Sequence, residues 1–114
     1  MVGEVSVMTV VWRLKAVLRL DEVTTWCYWR FGERVALKFY KEARRRADLL
    51  GVFPRMAPIE ASLAHYSRGY RSLSIRPHFR LIYYVDEVKS EVHVVDLWDM
   101  RRDPVSLIEG FTKE

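Results

Sequence analysis

The hydrophobic period of this chain changes once, and that change fixes its fold class. Before Gly51 apolar residues recur every three or four positions; after Gly69 they fall into short β-rich runs separated by turn residues. Val17, Leu20, Val23 or Thr24, Cys27 and Phe31 trace one helical stripe from Leu14 to Phe31, which Gly32 stops. Glu33 opens a second, through Val35, Phe39, Ala43, Ala47 and Leu50, closed by Gly51 and Pro54. Two helices joined at a single glycine predict an antiparallel hairpin. Ahead of them, the Val-dominated Val5 to Trp12 reads as a strand. Val52 to Gly69 has little period and reads as a long loop, with one turn of helix near Ile59 to Ala64. Tyr70 to Arg76, Phe79 to Val85 and Glu91 to Trp98 then have the spacing of a three-stranded antiparallel meander. Asp103-Pro104 supplies an N-cap and first-turn proline for a short terminal helix through Ile108. The expected architecture is α+β, one domain over residues 1–114, with the hairpin on one sheet face.

Length and composition narrow the function classes. At 114 residues the chain is too short for two independent cores, and 50% apolar content with 30% charged residues suits a packed domain rather than disorder. No apolar run approaches the roughly 18 to 20 residues that cross a bilayer, and the opening Met1-Val2-Gly3-Glu4 lacks the basic region of a signal peptide. No membrane partner and a cytoplasmic location are therefore expected. One cysteine, Cys27, excludes an internal disulfide and a thiolate zinc site, so it reads as a small buried hydrophobe.

The net charge of +4 is mild, but its distribution is uneven. Arg68, Arg71, Arg76 and Arg80 lie between Ala61 and Val85 with His65, His78 and no acidic residue, interleaved with Tyr66, Tyr70, Phe79, Tyr83 and Tyr84. Arginine among aromatics on a sheet can grip phosphate or carboxylate and stack on bases; a solvated cationic surface has the same composition. Lys41, Arg44, Arg45 and Arg46 spread around a helix end, where they complement its dipole. GxSxG, HExxH, P-loop and GxGxxG motifs are all missing from the sequence. His65, His78 and His93 fall at no metal-ligand spacing, so neither metal nor cofactor is expected. His93 reads as a packed strand residue, Asp96 and Asp99 as salt-bridge partners for an arginine, and His78 as the better proton-transfer candidate.

Three segments, Tyr70-Arg71-Ser72-Leu73, Phe79-Arg80-Leu81-Ile82-Tyr83-Tyr84-Val85 and the run from Val94 through Trp98-Asp99-Met100-Arg101-Arg102 to Asp103-Pro104, together resemble the RelE/ParE toxin superfamily of type II toxin-antitoxin modules. Nearly the whole chain falls in the family order. The resemblance implies a RelE/ParE-like fold, a cognate antitoxin in a hetero-oligomer, and one of two targets. RelE-like members cut messenger RNA on the ribosome; ParE-like members poison DNA gyrase. It also implies that Arg80 is the strand arginine, Arg71 its neighbour on the preceding strand and Arg101 the arginine after the last strand.

The tail departs from the ribonuclease pattern. Neither Tyr nor His follows Trp98, and Leu107 and Ile108 stand where an acid or base would fall. In-line attack by a ribose hydroxyl needs proton transfer as well as charge stabilisation. The leading expectation is a non-enzymatic toxin contacting its target through Arg71, Arg80, Arg101 and Arg102. The alternative is a ribosome-dependent endoribonuclease using Arg71 and Arg80 on phosphate, with His78 or Tyr84 moving the proton. A partner is expected in an apolar groove flanked by arginine, with Arg80 the most sensitive position, unless Arg80 is paired across the sheet to Asp96 or Asp99.

Overall fold

The structure, a computed structural model, describes residues 7 to 111. β1 (Thr9–Trp12) leads into α1 (Leu14–Phe31) and α2 (Glu33–Leu49), then a 3-10 turn (Ala61–Leu63), β2 (Arg71–Ile75), β3 (Phe79–Asp86), β4 (Glu91–Asp99) and α3 (Pro104–Glu109). The expected start of the first strand at Val5 lies outside the described residues; Val7 and Met8 precede the strand itself.

Two glycines set the hairpin. Gly32 has φ of 92°, a region that L side chains rarely adopt, and its N–H donates to Tyr28 O at 2.9 Å, so α1 ends and α2 begins at the same residue. Gly51 acts through space instead: Met8 N donates to Gly51 O at 2.8 Å, and a Cβ there would lie 2.6 Å from Met8 O. The end of the hairpin is thereby laced to the segment entering β1.

The sheet order is β1-β4-β3-β2. β2, β3 and β4 form the expected antiparallel meander, while β1 pairs with β4 in parallel and makes the sheet mixed. Leu73, Ile75, Phe79, Leu81, Tyr83, Val92, Val94 and Leu97 form the face under the hairpin, meeting Ala16, Leu20, Cys27, Phe39, Ala43 and Leu50. Phe39 and Phe79 join the layers with ring centroids 5.1 Å apart. The opposite face is also covered. Leu63 from the loop and Leu107 and Phe111 from α3 and its exit pack on Ile82, Tyr84, Val95 and Trp98. A cover of this second face was not among the sequence expectations, although the adjacent apolar pairs Val94-Val95 and Leu97-Trp98, interrupted only by Asp96, suit a strand buried on both sides. Opposite Ile82 and Tyr83 stand Asp96 and Val94, so β4 carries one extra residue at this bulge.

Helical periodicity overstates burial at the hairpin tip. Phe31 and Val35 continue the stripes, yet they are 55% and 45% exposed. The stripe runs past the sheet that would have covered it.

Gly51→Ala should therefore destabilise the fold by about 2 kcal/mol, because the clashing atom is a backbone carbonyl that cannot rotate away. Urea unfolding checks this; a change under about 0.5 kcal/mol would show that the lacing gives way easily.

Candidate functional site

The exposed end of the apolar stripes forms one wall of an open groove of about 610 Å³, with the β2–β3 turn as the other wall. Trp26, Phe31, Val35 and Phe39 come from the hairpin, and Pro77 and Phe79 from the sheet. Trp26 and Phe31 hold each other edge to face at 5.6 Å, which keeps two large rings upright beside solvent. Around this apolar floor stand Lys38, Lys41, Arg45, Arg76 and Arg101, against a single lining carboxylate, Glu42. Arg45 is bound to Glu42 at 2.6 Å. Lys38, Lys41 and Arg76 make no ion pair within the described residues, so their charge is available to an occupant.

Arg101 sits at the inner end. Its guanidinium bonds Asp99 through Nε at 3.2 Å and a terminal nitrogen at 2.9 Å, and its Cζ lies 5.4 Å from the Trp26 ring centre. The fork bonds from Arg101 hold the Asp99 carboxyl below its usual range. His78 Nε2 is 3.7 Å from Asp99 Oδ1, yet burial and the nearby Arg101 charge outweigh that carboxylate and push the imidazole pKa down. Burial raises the Cys27 thiol, with Arg101 opposing, so the groove's one sulfur is a neutral wall atom. Beyond Arg101 a second cleft of about 340 Å³ continues between α1 and α3, with exposed Arg102 on its rim. Asp96 is buried there, 3.4 Å from Lys15 Nζ and 3.7 Å from Arg19 Nε, the structural ion pairing expected of it.

The other expected site residues are dispersed. Arg80 bonds Glu60 Oε1 at 2.9 Å, which corrects the expectation that a structural partner would be Asp96 or Asp99. Glu60 lies just outside the acid-free segment and returns to it because its backbone N–H donates to Tyr70 O, bringing the loop onto the sheet. Burial works to raise the Glu60 pKa, but hydrogen bonds from Ser62, Ser72 and Arg80 outweigh it and the net shift is downward. Arg71 donates to Ala57 O at 2.7 Å. It alternates with Leu73 and Ile75 on the hairpin face, whereas Arg80 alternates with Ile82 and Tyr84 on the other, so the two arginines do not converge. Tyr84 is buried, capped by Arg68 Cζ at 4.4 Å and stacked on His93 at 4.9 Å. It is six residues from His78, near the opposite end of β3. Lys38, Lys41 and Arg45, read from sequence only as a solvated helix surface or not singled out, turn out to rim the groove. The signal for them was the apolar stripe running on to Trp26, Phe31 and Val35 beside a turn glycine.

A mixed four-stranded sheet under a helical hairpin, closed by a short last helix, is the architecture of RelE/ParE superfamily toxins. The chain is similar to one in the chromosomal ParDE toxin-antitoxin system from P. aeruginosa, with TM-score 0.67 and 18% identity over 83% of this chain and 98% of that one. It is also similar to one in the RelBE2 toxin-antitoxin complex from Mycobacterium tuberculosis, with TM-score 0.58 and 18% identity over 86% and 97%. No curated protein sequence shows significant similarity to it. The family described as the ParE toxin of the type II toxin-antitoxin system, parDE, matches residues 10–104, and the chain belongs to that family.

The electrostatics give two expected outcomes. Glu60 has its folded pKa below the unfolded value, so its contribution is present above about pH 4.3 and lost as pH falls through the folded pKa. Glu60→Gln should cost about 1–3 kcal/mol at pH 7, discounted for the half-exposed Arg80, and flatten the stability loss below pH 4 in urea melts. His78 should titrate below 6.5 by NMR, with Arg101→Gln moving the midpoint upward. Its depressed pKa means that the unfolded chain binds the proton more readily, so stability rises as pH increases through about 6.5.

Proposed function

We propose that this chain is a growth inhibitor that binds and disables an essential complex, with DNA gyrase the first candidate, and that a cognate antitoxin neutralises it through the groove at the hairpin tip. The observation that carries the reading is the pairing of an exposed apolar floor with a rim of cations, Lys38, Lys41 and Arg76, that have no ion-pair partner among the described residues. An acidic amphipathic segment complements both features: its apolar side covers Trp26, Phe31 and Val35, and its carboxylates meet the rim. Family membership and two solved relatives from toxin-antitoxin systems support a partner of this kind.

Action by binding is favoured over cleavage by the placement of the polar groups. Ribonuclease chemistry asks for Arg71 and Arg80 on one phosphate with a proton-transfer group in reach. Here the arginines occupy opposite faces, and Tyr84, the candidate base on β3, is buried under the Arg68 cap, six residues along from His78, which precedes that strand. Arg80, Arg101 and Arg102, all at least partly exposed, are assigned to target contact; Arg71, engaged on Ala57 O, is assigned a smaller part. The chain contains no described helix long and apolar enough to cross a membrane, and the proposed targets place its action in the cytoplasm.

Expression of the chain alone, with a supercoiling assay and transcript mapping, tests the target. Inhibited supercoiling with intact transcripts is the expected result; codon-phased cleavage of messenger RNA would replace this reading with the ribonuclease. His78→Gln and Tyr84→Phe should each leave growth arrest within a few-fold, whereas a nuclease depending on either would lose about 10²-fold or more. Charge reversal of Lys38 and Lys41 to Glu should weaken antitoxin binding at least tenfold by calorimetry, with the folded state retained because both side chains are exposed.

A further inference from the structure

The far end of the sheet carries a cluster that the toxin reading does not use. Asp86 and Glu91 are direct cross-strand partners at the closed end of the β3–β4 hairpin, and His93 lies two residues on from Glu91 on the same face. One ligand atom from each of the three side chains lies within 4.8 Å of the other two. Two carboxylates placed directly opposite one another repel. Among the described residues no Lys or Arg pairs with either; Asp86 Oδ1 accepts only the Lys89 backbone N–H at 3.0 Å, and Glu91 Oε1 faces His93 Nε2 at 2.9 Å.

His93 is 6% exposed, and its Nδ1 is buried with no hydrogen-bond partner. The ring is held by its face, parallel to Tyr84 within 3° and 4.9 Å away, under the Arg68 cap. Stacking fixes where the imidazole points without fixing which nitrogen carries the proton. In the tautomer that carries its hydrogen on Nδ1, Nε2 presents a lone pair to the space between the carboxylates.

We propose that Asp86, Glu91 and His93 form a binding site for a divalent transition cation of the zinc class, which neutralises the opposed carboxylates and ties β3 to β4. The donor set of one imidazole and two carboxylates suits zinc, and a tetrahedral site with bonds of about 2.0–2.1 Å needs donors roughly 3.3 Å apart, within reach of small rotations at partly exposed Asp86 and Glu91. Open positions remain for water. Calcium, which takes six to eight oxygens, is poorly served by three protein ligands that include a nitrogen. The histidine spacing in the sequence does not point to this cluster, because a strand pair rather than a local motif brings it together.

Titrating the untagged full chain with Zn²⁺ by calorimetry, while following imidazole resonances by NMR, tests the proposal. One saturable site that shifts the His93 ring nitrogens is expected, with at least tenfold weaker binding in Asp86→Asn and in Glu91→Gln, and with Ca²⁺ failing to compete. Both substitutions are at half-exposed positions, so circular dichroism should confirm that they fold, which His93→Gln does not guarantee. Zn²⁺ shifting His65 or His78 while His93 stays unchanged, or both variants binding as tightly as the parent, would overturn it. The cluster and the hairpin-tip groove lie at opposite ends of β3, so antitoxin affinity should be the same in these variants; the outcome leaves the toxin reading separately testable.

Discussion

Burial of β4 on both faces is the constraint on which the rest of the structure depends. From Val92 to Trp98 every residue of this strand is buried, and it lies between β1 and β3 rather than at an edge. A strand of this kind cannot leave either side to water, because each exposed large apolar side chain forgoes about 1.5–3 kcal/mol of burial. The helical hairpin covers one side and the α3 region with the 3-10 turn covers the other. The bulge between Val94 and Asp96 serves the same end, since the extra residue lets Val95 join the α3 side while Val94 and Leu97 stay under the hairpin.

The groove follows from a mismatch in length. Helices of 18 and 17 residues reach about 27 Å at 1.5 Å per residue. The antiparallel turn at Pro77 ends the sheet before the hairpin tip does, and the leftover apolar stripe becomes a binding wall instead of a core. An exposed apolar floor of this kind is a liability in a lone monomer. Its pairing with the Lys38, Lys41 and Arg76 rim gives it specificity, since only an occupant with acidic and apolar sides satisfies both. Arg101 belongs to the same design: tied to Asp99 and laid over Trp26, it presents a fixed cation rather than a mobile one.

Charges elsewhere also hold the fold together. Glu60 draws Arg80 down and anchors the loop over β2, Asp96 satisfies Lys15 and Arg19 from α1, and Arg71 closes on the Ala57 carbonyl. A segment that reads as uniformly electropositive in one dimension is therefore partly neutralised in three. What remains is polarised along the sheet, with cations at the end near Pro77 and the Asp86 and Glu91 carboxylates at the other.

The elements themselves were legible in the chain because each depends on local spacing. Gly32, Gly51 and Gly69 punctuate the periods, Asp103-Pro104 caps α3 with its carboxylate on the Val105 N–H, and the meander follows from its turn residues. Family membership was legible for the same reason, being carried by the order of short motifs along the strands. The face on which each arginine would fall was not legible. Side chains alternate with period two, so the register of Ser74 with Arg80 decides whether Arg71 and Arg80 meet, and one residue more or less in the Pro77 turn would reverse it. Likewise Glu60 is 20 residues from Arg80, and Asp86 meets His93 only across a strand pair. Local periodicity determined which segments became helix and strand; long-range register and the relative lengths of hairpin and sheet, which no local pattern encodes, decided which side chains share a site.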